Sequence, residues 1–224
     1  MAAFITLKSK IDDFAFQAWH EPAQGHRRGG VIVLQEIFGI DAYVKADCAR
    51  WARAGFEALA PSLFDRQEPG FCAAHTPEGI QEGFRYAQAN GLDNPIHDIE
   101  TCADRLKAQG PVFVVGYCYG GSLAYLAACK IGALSAASSY YGSLVPQHGG
   151  SQPLVPVICH FGRQDGFIPL EAVEAFERAR PDVPVYVYEA GHGFNNEGGP
   201  AYDAAAAHLA RERTLELFRA NGAL

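Results

Sequence analysis

Val114-Val115-Gly116-Tyr117-Cys118-Tyr119-Gly120-Gly121 decides how this chain is read. An apolar run, residues 111–115, enters a turn of the form Gly-x-nucleophile-x-Gly, and an alanine-rich stretch runs on through Ala128. That order is strand, sharp turn, helix. The turn is tight and strained, so it needs glycines where side chains would collide, and it holds residue 118 at its tip. The helix behind points its N-terminus at that residue, and free N–H groups there stabilise negative charge. Such a setting favours a thiolate, which is the nucleophilic form of cysteine. Glycine-rich strand-to-helix turns are common, and most are only structural. The flanking strand and helix favour the functional reading of Cys118.

Outward from the turn, strand and helix patterns alternate. Residues 31–35, 56–60, 134–141, 155–161 and 183–189 read as further strands, mostly short apolar runs of the buried parallel kind. Helices are expected over residues 42–54, 77–90, 96–109, 119–128, 170–179 and 201–220, bounded by glycine or proline signals. This alternation implies βαβ units and a mostly parallel sheet with helices on both faces. Residues 4–8 and 14–19 are expected as an antiparallel edge hairpin. No linker, repeat or low-complexity segment divides the chain, so residues 1–224 are expected to form one domain.

A nucleophile on such a turn needs an acid and a base, which follow it along the chain. After residues 155–161 comes Gly162-Arg-Gln-Asp165-Gly, which makes Asp165 the candidate acid. Asp-Gly is also an ordinary turn pair, so Asp165 alone would decide nothing. After the last strand comes Ala190-Gly191-His192-Gly193-Phe194, and His192 is the candidate base. The remaining histidines precede the turn or fall on helices, in a strand or in a surface loop. Three weak signals in the right order, each at the C-terminal end of a strand, reinforce one another. An oxyanion needs two N–H donors. Tyr119, after the nucleophile, is one candidate. Ile37, in the loop Gln35-Glu36-Ile37-Phe38-Gly39, is the other.

These residues together resemble the dienelactone hydrolase (carboxymethylenebutenolidase) family, of the α/β-hydrolase superfamily. The matching segments span nearly the whole chain. They are Gln35-Glu36-Ile-Phe-Gly39, Leu63-Phe-Asp-Arg66-Gln67, Gly116-Tyr-Cys118-Tyr-Gly120-Gly121, Asp165, Gly191-His192-Gly-Phe194 and Glu212-Arg213-Thr214. The resemblance implies an α/β-hydrolase fold, a Cys118–Asp165–His192 triad, and neither metal nor cofactor. It also implies that Glu36 contacts the resting thiol and swings away on activation. A carboxylate there would oppose thiolate formation and so shield the thiol from oxidation. The family holds a substrate carboxylate with two arginines, one on the helix matching residues 77–90 and one just after the histidine. Here Asn195-Asn196 follow the histidine, and the helix offers Ile80-Gln81 with Arg85 a turn on. Phe38, Arg85, Asn195 and Asn196 are the expected substrate contacts. Phe71, Tyr86, Tyr119 and Tyr141 are further candidates for the wall of a more apolar pocket.

Composition narrows the partners. A net charge of -7 without a basic cluster argues against nucleic acid or an anionic membrane. No apolar run reaches the roughly 18 residues of a membrane span. None of the six cysteines forms a Cys-x-x-Cys pair. Without a signal-peptide pattern, they read as reduced thiols of a cytoplasmic protein. The expectation is therefore an enzyme, monomer or small homo-oligomer, cleaving a small ester or lactone through a thioester. A short-chain carboxylesterase and a non-catalytic redox or ligand-binding domain stand as alternatives.

Overall fold

Residues 112–117 are all buried, which only the centre of a sheet covered on both faces permits. In the computed structural model, which describes residues 1–223, they form β5 (Val112–Tyr117) of an eight-stranded sheet. The other strands are β1 (Ala3–Lys8), β2 (Ala15–Glu21), β3 (Gly29–Leu34), β4 (Phe56–Pro61), β6 (Ala136–Tyr140), β7 (Val157–Gly162) and β8 (Val185–Tyr188). Their order across the sheet is β1-β2-β4-β3-β5-β6-β7-β8. β1 and β2 form the expected antiparallel hairpin, β2 joins β4 antiparallel, and all the other pairs are parallel.

Among the described residues, six helices cover the sheet: α1 (Ala42–Arg53), α2 (Pro77–Asn90), α3 (Asp93–Lys107), α4 (Tyr119–Lys130), α5 (Leu170–Ala179) and α6 (Ala204–Ala220). Trp51 of α1 lies 5.5 Å from Phe218 of α6, and Phe218 stacks on Phe113 of β5 at 4.3 Å. Buried Asp47 ties the same two helices together, accepting from Arg50, Trp51, Tyr117 and Arg211. On the opposite face, a side chain on Gly30 would strike Leu106 of α3, and Tyr125 of α4 meets Phe176 of α5 at 5.4 Å. Among the described residues, no helix is long and apolar enough to cross a membrane.

Element boundaries moved where local chemistry overrides pattern. The strand expected over 134–141 is Ala136–Tyr140, because Tyr141 takes φ +37° and turns the chain. The last helix starts at Ala204, not 201, because the Asp203 carboxylate caps it through the Ala206 N–H at 2.8 Å. α3 begins earlier than expected, at Asp93. A short 3-10 turn, Val145–His148, carried no sequence signal.

Parallel pairing aligns strand ends. Leu34 is opposite Gly116, Tyr117 opposite Tyr140, and Gly162 opposite Tyr188. The loops after β3, β5, β7 and β8 therefore open on one edge, the place where open α/β sheets bind ligands.

Candidate active site

The turn between β5 and α4 holds Cys118 at φ +55°, ψ −113°, a conformation rarely adopted by a residue with a side chain. Glycines make the turn possible. A Cβ on Gly116 would come 2.0 Å from the Gly120 carbonyl oxygen, and one on Gly121 would come 2.3 Å from that of Tyr140. The Cys118 N–H donates to the Tyr140 carbonyl at 3.0 Å, which anchors the tip to the sheet. Cys118 itself is half-buried at the N-terminus of α4.

Asp165 sits in the turn after β7. Its Oδ1 accepts the N–H groups of Phe167 (2.8 Å) and Ile168 (3.1 Å), and Oδ2 meets His192 Nδ1 at 2.8 Å. His192 follows β8 between the rings of Tyr141 and Phe167, each 5.0 Å away. It also meets the Cys118 thiol. Burial alone would lower the imidazolium pKa. Hydrogen bonds and charge from Asp165 and Cys118 outweigh it and raise the value from 6.5 to about 10. Carboxylate, imidazole and thiol thus lie in sequence at the strand ends.

The loop after β3 supplies the rest. Gln35 is fully buried and joins three segments. Its carbonyl accepts the Gly120 N–H at 3.0 Å, its Oε1 accepts the Leu63 N–H at 3.1 Å, and its Nε2 donates to the Glu36 carbonyl at 3.2 Å. Among the described residues, the N–H groups of Ile37 and Tyr119 have no protein acceptor. Both residues line the cavity beside Cys118, so two donors remain free for an oxyanion. Helix α2 packs directly on this loop, since a Cβ on Gly83 would lie 2.1 Å from the Ile37 carbonyl oxygen.

Glu36 is buried. Its carboxylate is held by Asn196 Nδ2 at 3.0 Å rather than by the Cys118 thiol. Burial, partly offset by that hydrogen bond, pushes its pKa upward. Asn195, also buried, donates to the Tyr43 hydroxyl at 2.6 Å. Both asparagines thus brace the histidine loop from behind and do not line the cavity. Arg85 is turned to solvent on α2, paired with Glu82. Phe71 and Tyr86 pack edge-to-face at 4.7 Å, away from the opening. Tyr141 lies fully buried behind His192. Of the aromatic candidates, Phe38 and Tyr119 reach the cavity.

The cavity has two lobes that meet at Cys118, Ile37, Phe84, Ser143 and Leu144. The first, about 290 Å³, is closed by Ala87, Gln88, Gly91, Leu92 and Tyr119. The second, about 270 Å³, is lined by Glu36, Phe38, Ile80, Gln147, Phe167 and His192. The sequence reading missed Phe84 and Phe167, although each is a large apolar residue in a segment that it had placed near the site. Ser143, Leu144 and Gln147 gave no signal. Among the described residues, no cluster of three His, Cys, Asp or Glu side chains is placed to hold a metal ion.

Comparison with known proteins gives the family and the fold. The profile of the dienelactone hydrolase family matches residues 16–222. The carboxymethylenebutenolidase of Pseudomonas putida is 34% identical over 199 residues, covering 84% of each chain. That of a Pseudomonas sp. strain is 34% identical over 211 residues, covering 88% of this chain and 87% of its own. A crystal structure from Klebsiella pneumoniae, assigned provisionally as a dienelactone hydrolase, superposes with a TM-score of 0.86 at 25% identity, covering 98% of both chains.

Proposed function

The chain belongs to the dienelactone hydrolase family, and on that premise we propose that it cleaves an ester or lactone through a thioester on Cys118. The observation that carries this reading is the relay from Asp165 through His192 to the Cys118 thiol, beside two N–H groups with no acceptor among the described residues. The eight-stranded sheet draws on the chain from residue 3 to residue 188, which supports one catalytic domain acting on a small molecule.

The steps follow from the geometry. The Cys118 thiolate attacks the carbonyl carbon, and the oxyanion is met by the N–H groups of Ile37 and Tyr119. The carbon–oxygen bond to the leaving group breaks as the His192 imidazolium gives that oxygen its proton. Once the sulfur is acylated, its negative charge is gone. The part of the His192 pKa elevation that Cys118 supplied goes with it, and the neutral imidazole becomes a competent base. Water then attacks the thioester, His192 takes its proton, and the acid product leaves. Asp165 holds the tautomer and orientation throughout. Glu36, in the second lobe with Cys118, acts as the carboxylate that opposes thiolate formation in the empty site.

Steady-state hydrolysis by the wild type beside Cys118→Ala tests the reading. Turnover must appear in the first and vanish in the second.

A further inference from the structure

The two lobes are chemically unequal, and the reaction assigns them. Resting on the triad reading above, the leaving oxygen must lie within hydrogen-bond reach of His192, which lines only the second lobe. The sulfur stands where the lobes meet, so the acyl group must extend the other way, into the first. A lactone keeps its acyl carbon and leaving oxygen in one ring and needs no second lobe. An open-chain ester fills both.

The walls name the chemistry. Among the described residues, no Arg or Lys lines either lobe. A substrate carboxylate in the second lobe would be desolvated beside Glu36, and the His192 imidazolium there is already bound to Asp165 and committed to the leaving oxygen. The side chains at its mouth are instead phenyl rings. Phe84 and Phe167 are 48% and 63% exposed, among the few large apolar side chains left in solvent, with Phe38 stacked on His75 further in. Exposed rings clustered at a cavity mouth mark a binding surface for an apolar partner. The first lobe is lined mainly by aliphatic and small residues. Tyr119 donates its hydroxyl to the Gly91 carbonyl at 3.0 Å, which leaves its ring edge as wall.

We propose that the substrate is an uncharged open-chain ester, with an apolar acyl chain in the α2–α3 lobe and an aromatic alcohol in the lobe of Phe38 and Phe167. The thiolate displaces the aryl alcohol, His192 supplies the proton that makes it neutral, and water releases the acyl chain as a free acid.

The experiment uses aryl esters from acetyl to octanoyl, the matching ethyl esters, and a lactone bearing a carboxylate. Wild type is run beside Ala87→Leu and Phe167→Ala. Acylation of Cys118 is read by mass in each, so that failure of the nucleophile is seen separately. The expected result is higher kcat/KM for neutral aryl esters than for the anionic lactone. Ala87→Leu should lower kcat/KM for the longer acyl chains by roughly tenfold and leave acetyl esters within about twofold. Phe167→Ala should shrink the preference for aryl over ethyl by a similar factor. If the anionic lactone is the best substrate, the neutral-ester assignment falls. If Ala87→Leu alters the alcohol preference instead, the lobe assignment falls. If Cys118 is never acylated while turnover continues, the triad reading falls, and this proposal with it.

Discussion

Asn196 Nδ2 donates to Glu36 Oε2 at 3.0 Å, and this bond clasps the histidine loop to the oxyanion loop across 160 residues of sequence. Both side chains are buried, so the partner left behind when either is removed stays unsatisfied. Asn196→Ala should cost about 1–3 kcal/mol of stability for that reason. Glu36→Ala removes the acceptor, strands the Asn196 amide and should cost a comparable amount. In the double variant the losses should fall short of their sum, with a coupling of about 1 kcal/mol. Thermal or urea unfolding of the four proteins measures this. Strict additivity would mean that the clasp carries no energy.

Asp165→Asn keeps the shape of the relay but reverses what His192 Nδ1 meets. The imidazole is then held in the wrong tautomer, and kcat should fall by roughly 10³ to 10⁴ while KM moves little. Comparable losses in KM would point to a collapsed loop, since the Asp165 Oδ1 bonds to the Phe167 and Ile168 N–H groups also shape that turn.

His192 sets the alkaline limit. Its pKa is raised to about 10, so the proton needed by the leaving oxygen is lost as pH rises through about 10. Activity on a neutral ester should fall there, and Asp165→Asn should move the fall to lower pH. The shift also affects folding. A histidine held above its ordinary value of 6.5 adds stability that is fully present below 6.5 and is lost as pH rises through about 10. A pH–rate profile of both proteins decides; a limb that does not move in the variant would contradict the assignment to His192.

His160 sets the acid limit. It is fully buried in β7, between the Tyr188 hydroxyl at 2.8 Å from Nδ1 and the Ser138 hydroxyl at 3.2 Å from Nε2. Burial lowers its pKa to about 3. Between pH 6.5 and about 3 the unfolded chain binds a proton that the folded chain refuses, so stability drops as pH falls. The slope from this one group is about 1.4 kcal/mol per pH unit. Unfolding free energies of wild type and His160→Gln across that range should show a shallower slope in the variant, whatever its absolute stability.

The catalytic candidates were legible because each sits just beyond a strand whose apolar run is plain, and parallel pairing brings such ends together. The contacts that tune them were not. Asn196 meets Glu36 only through the tertiary fold, and its sequence position beside the histidine suggested a substrate contact instead. Arg85 failed through helical phase. Ile80, Phe84, Ala87 and Gly91 recur at the spacing of one α2 face and its C-terminal continuation, and that face turns toward the cavity. Arg85, one residue past Phe84, is rotated by roughly 100° into solvent. The Asp203 cap set the start of α6 later than the apolar pattern suggested, whereas α3 begins early with no side-chain cap.

The most direct test is rapid mixing of wild type with a neutral aryl acetate, followed by acid quench and intact mass, beside Cys118→Ala. A burst of aryl alcohol matching the enzyme concentration, with one acetyl group on Cys118 and neither signal in the variant, is the predicted result. Undiminished turnover by Cys118→Ala, or an acetyl group found on another residue, would contradict a thioester on Cys118.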